Sequence, residues 1–360
     1  RNRIFLRGIA DSAFNGESQA TVAVVLDEAR LTYSAPDPDI RLVDMERVEI
    51  LKGPQGSLYG TGVLGGIYHL VSRKAELDRF SASLSAGGEL VAGGGTGASA
   101  SGMVNLPLLR DGLGLRLVGY SATEPGWVDT GDRTASNESR VAGLRGGLGG
   151  RLGEWRIDLT AFAQWLESRD SSYVYAPGQR TRPAQLAEPH DNDLRHVATR
   201  IAHEAGPTRI VASSGMSWHE VNDRLDATVG AESFGLASPQ TLQDDRSYRL
   251  WDNELRLDGR LGGSMSWLGG LSYIRARQRI MTTLASDGDA LVIDDDSRIS
   301  KELAAFGNVS IPLGGRLTLD AGARLFRSIV AEKRVVPGGR QRFEIRRNGM
   351  TPSLALSWRP

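Results

Sequence analysis

The sequence predicts a mainly β protein: part of a transmembrane antiparallel β-barrel that follows a small α/β domain at the N-terminus. Three observations carry this prediction. A charged strand leads into a glycine-crowded turn over residues 44–74, blocks of about ten residues then alternate apolar and polar side chains, and the connections between blocks alternate in length. We therefore expect a small domain over residues 1–76, lying inside the barrel wall, and the barrel part over residues 77–360.

The composition excludes several other classes of protein. The 360 residues carry 43 basic and 43 acidic side chains, so the net charge gives no reason to expect nucleic acid as a partner. The absence of cysteine excludes disulfides and thiolate metal sites. The longest apolar run, 22–26, is too short for a membrane helix, but a β-barrel hides its apolar band in alternate residues. The first residues lie inside a motif and show no secretory signal, so we expect that Arg1 is not the natural start.

The turn region after the charged strand contains six glycines between residues 53 and 66. So many glycines predict a backbone with positive φ angles or very close backbone contacts. Three of them, Gly60, Gly62 and Gly65, form the G-x-G-x-x-G pattern of dinucleotide-binding sites. That pattern requires a helix directly after the glycines, whereas residues 67–72 are strand-like, and no Gly-Lys-Ser/Thr of a P-loop occurs. We therefore reject a nucleotide site here.

This region resembles the plug domain of TonB-dependent outer-membrane receptors. The residues that carry the resemblance are Phe5-Leu6-Arg7-Gly8-Ile9, Val24-Val25-Leu26-Asp27, Glu46-Arg47-Val48-Glu49, Gly53-Pro54-Gln55-Gly56, Leu58-Tyr59-Gly60 and Gly65-Gly66. Two positions depart from the family pattern: Glu28 replaces a glycine, and His69 replaces a residue that is often Asn or Arg. The residues that the resemblance assigns to the plug framework are Gly8, Asp27, Glu46, Arg47, Glu49, Gly53, Pro54, Gly56, Tyr59, Gly60, Gly65 and Gly66.

Beyond residue 75 the sequence changes to the period-two alternation of strands with two different faces. Between Trp155 and Trp165 every odd residue is apolar, while the even residues are polar except for Phe162. The two tryptophans are ten residues apart on one face, which is about 23 Å along the membrane normal for a strand tilted by about 45°. This span fits the apolar band of an outer-membrane barrel, which is about 25 Å tall. The side chains expected to face outward are Trp155, Leu159, Trp165, Leu317 and Leu325.

Connection lengths separate a membrane barrel from a soluble β-sandwich, whose strands alternate as well. Short links are predicted near residues 108–113, 152–155, 204–209, 261–265 and 312–317. Long polar loops are predicted over residues 124–138, 167–193, 221–246, 280–301 and 331–349. Short turns on one side and long loops on the other are typical of outer-membrane barrels. The pattern gives twelve strands, little more than half of the roughly 22 strands of outer-membrane transporters.

No catalytic or metal-binding constellation stands out, and we expect no enzyme activity, no metal and no cofactor. Acidic residues cluster at 287–296 and 191–193. Carboxylate oxygens suit Ca²⁺, but the ligand order of an EF-hand is absent, so we interpret both clusters as solvated loops.

The resemblance implies a ligand pocket on the extracellular side of the plug. Arg7, in the family's I-R-G motif, and the segment 30–39 with Tyr33 would reach it. The planar guanidinium group of Arg7 suits bidentate contact with carboxylate or catecholate oxygens, and an ion pair with a barrel carboxylate is an equal alternative. A structural role in the polar barrel lumen is expected instead for Glu46, Arg47, Glu49 and Arg73.

The function that the resemblance implies is a receptor in the bacterial outer membrane that binds a scarce solute and is opened by the TonB complex of the inner membrane. The expected solute is a ferric siderophore, with cobalamin, a saccharide or another small molecule left open. TonB would pull on a segment before the plug that is absent from this sequence, and outer-membrane lipid is the other expected partner. The alternative is a structural or passive outer-membrane barrel that does not transport.

Overall fold

The computed structural model describes residues 4, 6, 20–53, 65–203, 206–229, 233, 235, 238–262, 264–286, 289–336 and 339–358. The strands in these residues form a four-stranded sheet, a twelve-stranded sheet and a two-stranded sheet. No helix in this part of the chain is long and apolar enough to cross a membrane.

The four-stranded sheet belongs to the plug. Its strands are β1 (Val22–Leu26), β2 (Ala29–Arg30), β3 (Met45–Lys52) and β4 (Gly66–Ser72). They lie in the order β2-β1-β4-β3, with β1 and β4 parallel and the other pairs antiparallel. β1 is apolar throughout and almost entirely buried, as expected for a strand covered on both faces. All regular structure in the described part of the plug is β.

The remaining strands follow in chain order. They are β5 (Ser81–Leu90), β6 (Thr96–Leu109), β7 (Leu113–Glu124), β8 (Asp129–Thr130), β9 (Ser139–Leu152), β10 (Trp155–Ser168), β11 (Thr181–Arg182), β12 (His190–His203), β13 (Thr208–Asp226), β14 (Thr241–Leu261), β15 (Met265–Ser286), β16 (Asp289–Pro312), β17 (Leu317–Val336) and β18 (Gly339–Trp358). Twelve of them form one antiparallel meander in which each strand pairs with the next. The exceptions are β8 and β11, which lie in the connections and pair in parallel, so antiparallel pairing does not hold for every strand after the plug.

The five predicted short links are confirmed, because each joins two neighbouring strands of the meander at the expected place. Two of the predicted long loops are wrong. Only residues 287–288 separate β15 from β16, and only residues 337–338 separate β17 from β18. Their polar flanks continue the strands, which are held by ion pairs across neighbouring strands, such as Arg334 with Asp294 at 3.0 Å. The polarity reflects strands that extend beyond the apolar band, where both faces meet water.

The described residues of both acidic clusters therefore lie on strands. Asp294, Asp295 and Asp296 lie on β16, and Asp295 is 3.6 Å from Arg279 on β15. Residues 191–193 lie within β12, although the sequence suggested a solvated loop. No group of side chains in the described residues could hold a metal ion.

The two faces of the meander have the predicted orientation. Trp155, Leu159 and Trp165 are each about 40% exposed on the outer face, and Leu317 and Leu325 are exposed as well. The intervening even residues of β10 are mostly buried and point toward the plug. The apolar exception, Phe162, is 4% exposed because it packs against the plug, so it belongs to the inner face despite its character.

The plug lies against the inner face of the twelve-stranded sheet, as expected. One apolar core joins the two parts: it contains Val24, Leu26, Leu31, Ile40 and Leu70 of the plug with Tyr120, Val141, Phe162, Leu166 and Leu194 of the meander. The plug is therefore packed onto the strands rather than folded as a separate globule. The domain boundary after residue 76 stays a prediction.

Candidate functional site at the plug–barrel contact

Part of the predicted site is outside the described residues. The residues concerned are Arg7, Gly8, Pro54, Gly56, Tyr59 and Gly60. The proposed ligand contact of Arg7 therefore stays a prediction. The structure describes the other named residues. They lie within the plug sheet, on its exposed side, or between the plug and the barrel strands.

Two framework glycines sit where other residues would be strained. Gly53 has φ of +81°, and its amide donates to the carbonyl oxygen of Gly65 at 2.9 Å. Gly66 has φ of +141°, and a Cβ atom there would lie 2.2 Å from the carbonyl oxygen of Leu51. Positive φ and close backbone approach are the two conditions that the glycine-rich sequence predicted.

Asp27 ties the β1–β2 turn to the end of β4. Its φ of +55° places it in the left-handed region, which Asp tolerates better than most residues. Its carboxylate accepts from the amide of Ser72 at 2.9 Å and lies 2.6 Å from the Lys74 ammonium. Its carbonyl oxygen accepts from Nε2 of His69 at 2.7 Å. These contacts hold the β1–β2 turn to the end of β4, and the framework role of Asp27 stays a prediction.

The charges on β3 lie on the exposed side of the plug. Arg47 pairs with Glu46 at 2.8 Å and with Glu49 at 2.6 Å, and Glu49 also contacts Nδ1 of His69. The hydrogen bond from Arg47 holds the pKa of Glu49 below its usual range. Among the described residues, the ion pairs of these charges stay within the plug, so their predicted contact with the barrel lumen stays a prediction.

Tyr33 lies between the plug and the strands. The guanidinium group of Arg30 is 5.4 Å from its ring centroid, and the ring packs against Leu250, Ile274 and Ala276 on β14 and β15. Beside it is a crevice, also lined by His219, with room for about one water molecule. The tyrosine is half-buried and lies at the edge of the lumen.

Asp44 is the most heavily bonded carboxylate between plug and barrel. Its carboxylate accepts hydrogen bonds from Nε and Nη2 of Arg116 at 2.8 and 2.5 Å, which makes the contact bidentate. Arg145 reaches the same carboxylate at 3.2 Å and donates to the Asp44 and Val43 carbonyl oxygens. Both arginines are 5% exposed. The plug is thus fixed to β7 and β9 by one carboxylate and two buried cations.

A second charged contact lies on the opposite side of the plug sheet, at the β1–β2 turn. Glu28 lies 3.2 Å from Arg256 on β14 and 3.5 Å from Arg200 on β12. The next strand, β2, adds a hydrogen bond from the Arg30 amide to Asp252 at 2.9 Å. Glu28 is the residue that departs from the family's glycine, and in this chain it serves as an anchor for the plug.

Gln164 holds the plug segment 38–41 to β10. Its amide nitrogen donates to the carbonyl oxygens of Pro38 and Asp39, at 3.1 and 3.0 Å. Its carbonyl oxygen accepts from the Arg41 amide and from the Tyr120 hydroxyl, at 3.0 and 2.7 Å. Gln164 is fully buried, so its side-chain amide bonds only to protein groups: the backbone of the plug segment 38–41 and the Tyr120 hydroxyl.

Asp37 lies at the end of the same segment. Burial raises the pKa of its carboxyl group to about 6, and the nearby Asp39 carboxylate adds to the rise, while a hydrogen bond from the Asp39 amide opposes it. Asn192 on β12 donates to the Asp37 carbonyl oxygen at 3.0 Å. The segment is therefore partly buried against β10 and β12, which pair with each other, and it carries a carboxyl group whose pKa is raised to about 6.

The comparisons with known proteins agree with this architecture. Residues 93–360 match the family model described as TonB dependent receptor-like, beta-barrel, and residues 1–67 match the TonB-dependent Receptor Plug Domain. The chain belongs to the TonB-dependent receptor family. Members of this family are outer-membrane β-barrels rather than enzymes, so the chain is a receptor-family barrel segment with its plug.

The curated relatives that the chain matches are named as receptors. The chain is 51% identical over 47 residues to the metal-pseudopaline receptor CntO of Pseudomonas aeruginosa, which is 13% of this chain and 6% of the relative. It is 22% identical over 294 residues to the probable TonB-dependent siderophore receptor PirA of Acinetobacter baumannii, which is 72% of this chain and 38% of the relative.

Solved structures share the fold. The ferric yersiniabactin uptake receptor FyuA of Yersinia pestis superposes with a TM-score of 0.79 at 15% identity, covering 98% of this chain and 55% of that structure. The siderophore receptor PiuA of Acinetobacter baumannii gives a TM-score of 0.76 at 14% identity, covering 100% and 56%. The chain thus spans about half the length of these receptors.

Proposed function

We propose that the chain is the plug and the first part of the barrel of a receptor that takes up a metal chelate across the outer membrane. The observation that carries the proposal is the noncovalent, largely buried attachment of the plug through Asp44, Glu28 and Gln164. Separating a buried ion pair leaves charges without partners and costs free energy. A plug held this way therefore stays closed until work is done on it. In this proposal the domain boundary lies after residue 76.

The source of that work, in this proposal, is the TonB complex of the inner membrane. The sequence contains no phosphate-binding Gly-Lys-Ser/Thr motif, and the outer membrane has no nucleotide pool to drive movement locally. TonB would bind a segment before the plug and pull on it. The strands of the plug sheet would transmit the force to the contacts with β7, β9 and β14.

The proposed ligand is a ferric siderophore or a related metal chelate. The names of the similar receptors, which mention metal-pseudopaline, a siderophore and ferric yersiniabactin, support this class over cobalamin or a saccharide. Arg7 and Tyr33 are the proposed contacts: a guanidinium group suits anionic oxygens of a chelate, and a half-buried aromatic ring offers a flat apolar surface.

Uptake by whole cells tests the proposal. In the full-length protein, deletion of the coupling segment before the plug is expected to abolish uptake of a radiolabelled ferric siderophore while surface binding is unchanged. The matched control is Glu46→Gln, an exposed plug charge whose loss leaves both unchanged. Uptake that continued after the deletion would favour the alternative, a passive barrel. Failure of the undeleted protein to bind the ferric siderophore would instead count against the ligand class.

A further inference from the structure

Five cations lie on the outer face of four adjacent strands: Arg249 on β14, Arg275 and Arg277 on β15, Lys301 on β16 and Arg327 on β17. We call them the outer cation belt. All five are exposed. The pairing register sets Arg249 opposite Arg277 and Arg275 opposite Lys301, and it sets Arg327 opposite Leu303, two residues along β16 from Lys301.

The belt spans heights of ten to twelve residues above the short turns, with Arg249 twelve residues before the end of β14 and Arg277 twelve after the start of β15. Arg275 is ten residues after the start of β15, Arg327 is ten after the start of β17, and Lys301 is eleven before the end of β16. Ten residues correspond to about 23 Å along the membrane normal at a tilt of about 45°. Trp165 and Trp251 have the same ten-residue spacing from the short-turn ends of their strands. The belt therefore lies at the level of the tryptophans that mark the upper interface.

The belt cations are placed against each other rather than against anions. Arg249 is the direct cross-strand partner of Arg277, and Arg275 is the partner of Lys301. Like charges at directly opposite positions of a sheet destabilise it. Among the described residues, none of the five forms an ion pair, in contrast to their neighbour Arg279, which pairs with Asp295. The outer face thus carries concentrated positive charge that no ion pair within the described residues neutralises.

The opposite rim of the same strands has a different character. Near the short turns, the outward positions hold Leu261 on β14, Met265 on β15, Leu317 on β17 and Trp358 on β18. No lysine or arginine occupies an outward position of β14–β17 between the belt and these turns in the part of the chain that the structure describes. Between the belt and the short turns, the described outward positions of these four strands therefore carry no positive charge.

We propose that the outer cation belt binds anionic, phosphate-bearing headgroups of lipids in the outer leaflet of the membrane. Arginine offers a planar donor fork that matches phosphate bidentately, and anionic headgroups lie at the height where the belt follows the tryptophans. The lipid phosphates neutralise the opposed cations and thereby remove the repulsion across β14, β15 and β16. This inference concerns the lipid-facing surface and holds whether or not the barrel transports a chelate.

Lipid retention tests the proposal in the complete receptor that contains this chain. The receptor is exchanged into micelles with phosphatidylglycerol or phosphatidylcholine, and the lipids retained are counted by native mass spectrometry. The triple variant R249Q/R275Q/R277Q is expected to bind phosphatidylglycerol roughly fivefold more weakly for each charge removed, with phosphatidylcholine unchanged. The matched control K333Q/R340Q/R342Q removes three exposed cations from the same face beyond the belt and is expected to retain the lipid.

Equal loss of lipid in both triple variants would show a diffuse charge effect and overturn the proposal, as would full retention in the belt variant. Thermal unfolding gives a second measurement. In phosphatidylcholine the single variant Arg277→Gln is expected to raise the melting temperature by relieving the contact with Arg249, and in phosphatidylglycerol this gain is expected to disappear. If inorganic phosphate alone stabilised the wild type as much as phosphatidylglycerol does, the belt would be a simple anion site and the lipid assignment would fail.

Discussion

At the residue scale, the contact between Asp44 and two arginines concentrates the attachment of the plug in one carboxylate. Arg116 and Arg145 lie on strands that are neighbours in the meander, and both bond the same side chain. Both guanidinium groups are buried, so water could not replace the Asp44 carboxylate if it were removed. Asp44 opens the stretch 44–74, but the sequence did not indicate this role because its partners are 72 and 101 residues away.

Substitution of Asp44 tests this attachment. Asp44→Asn leaves both guanidinium groups without a charged partner, and we expect it to destabilise the docked plug by about 3–5 kcal/mol. The measurement is the denaturant midpoint of plug unfolding in the complete receptor. Glu46→Gln is the control, because its ion pair with Arg47 is exposed and contributes about 0–1 kcal/mol. Equal midpoints for the two variants would contradict an anchoring role.

Asp37 predicts a pH dependence of a different contact, in which the plug segment 37–41 packs against β10 and β12. Its folded pKa of about 6 exceeds the reference value of 3.8, so the folded state binds the proton more tightly. The stabilisation is complete below the reference value and is lost as the pH rises through about 6, a change of about 3 kcal/mol. We expect the plug midpoint of wild type to fall more than that of Asp37→Asn between pH 4 and 7. Parallel pH profiles would show that Asp37 does not carry the effect.

At the scale of strands, the sequence predicted the positions of turns and the direction of faces better than the extent of the strands. Alternation between Trp155 and Trp165 fixed which side faces outward, because one slip in register would invert every side chain. The ends of β15 to β18 were missed because polar residues occupy both faces there, and polarity alone does not distinguish a loop from a solvated ribbon. Asp287-Gly288 is a hairpin signal in its own right and was the available clue.

The outward face of β10 gives a prediction about the membrane. Leu159 lies near the middle of the predicted apolar band, so Leu159→Arg is expected to cost about 2–4 kcal/mol in a bilayer. Leu152→Arg is the matched control, because Leu152 ends β9 at the short-turn rim, where the same charge costs about 0–1 kcal/mol. Refolding of the full-length receptor into vesicles measures both. A cost near zero at Leu159 would contradict a lipid-facing position.

At the scale of the whole molecule, the plug and the meander share one apolar core and several buried polar contacts. The family resemblance predicted that the plug lies inside the wall, but the individual contacts depend on tertiary packing that a single sequence does not display. Glu28 illustrates this limit: the sequence showed only a departure from a glycine, whereas the fold brings it within 3.5 Å of arginines on β12 and β14. The anchors therefore follow from the docked geometry rather than from any local pattern.

The plug movement that we propose for uptake can be tested directly, since the chain contains no cysteine of its own. A Cβ atom added at Gly215 on β13 would lie 2.5 Å from Cβ of Ala29 on β2, so a shift of about 1 Å brings a cysteine pair into disulfide range. With Ala29→Cys and Gly215→Cys, oxidation is expected to stop uptake by the full-length receptor, and reduction to restore it.

The control pair Ala75→Cys and Gly149→Cys has a Cβ separation of 3.5 Å and joins the plug where the chain itself enters the barrel. Oxidation of that pair is expected to leave uptake intact, because it adds little to the covalent connection already present. Uptake that survived the first tether, with the disulfide verified by mass spectrometry, would mean that the strands β1 and β2 stay docked and that any path opens elsewhere in the plug.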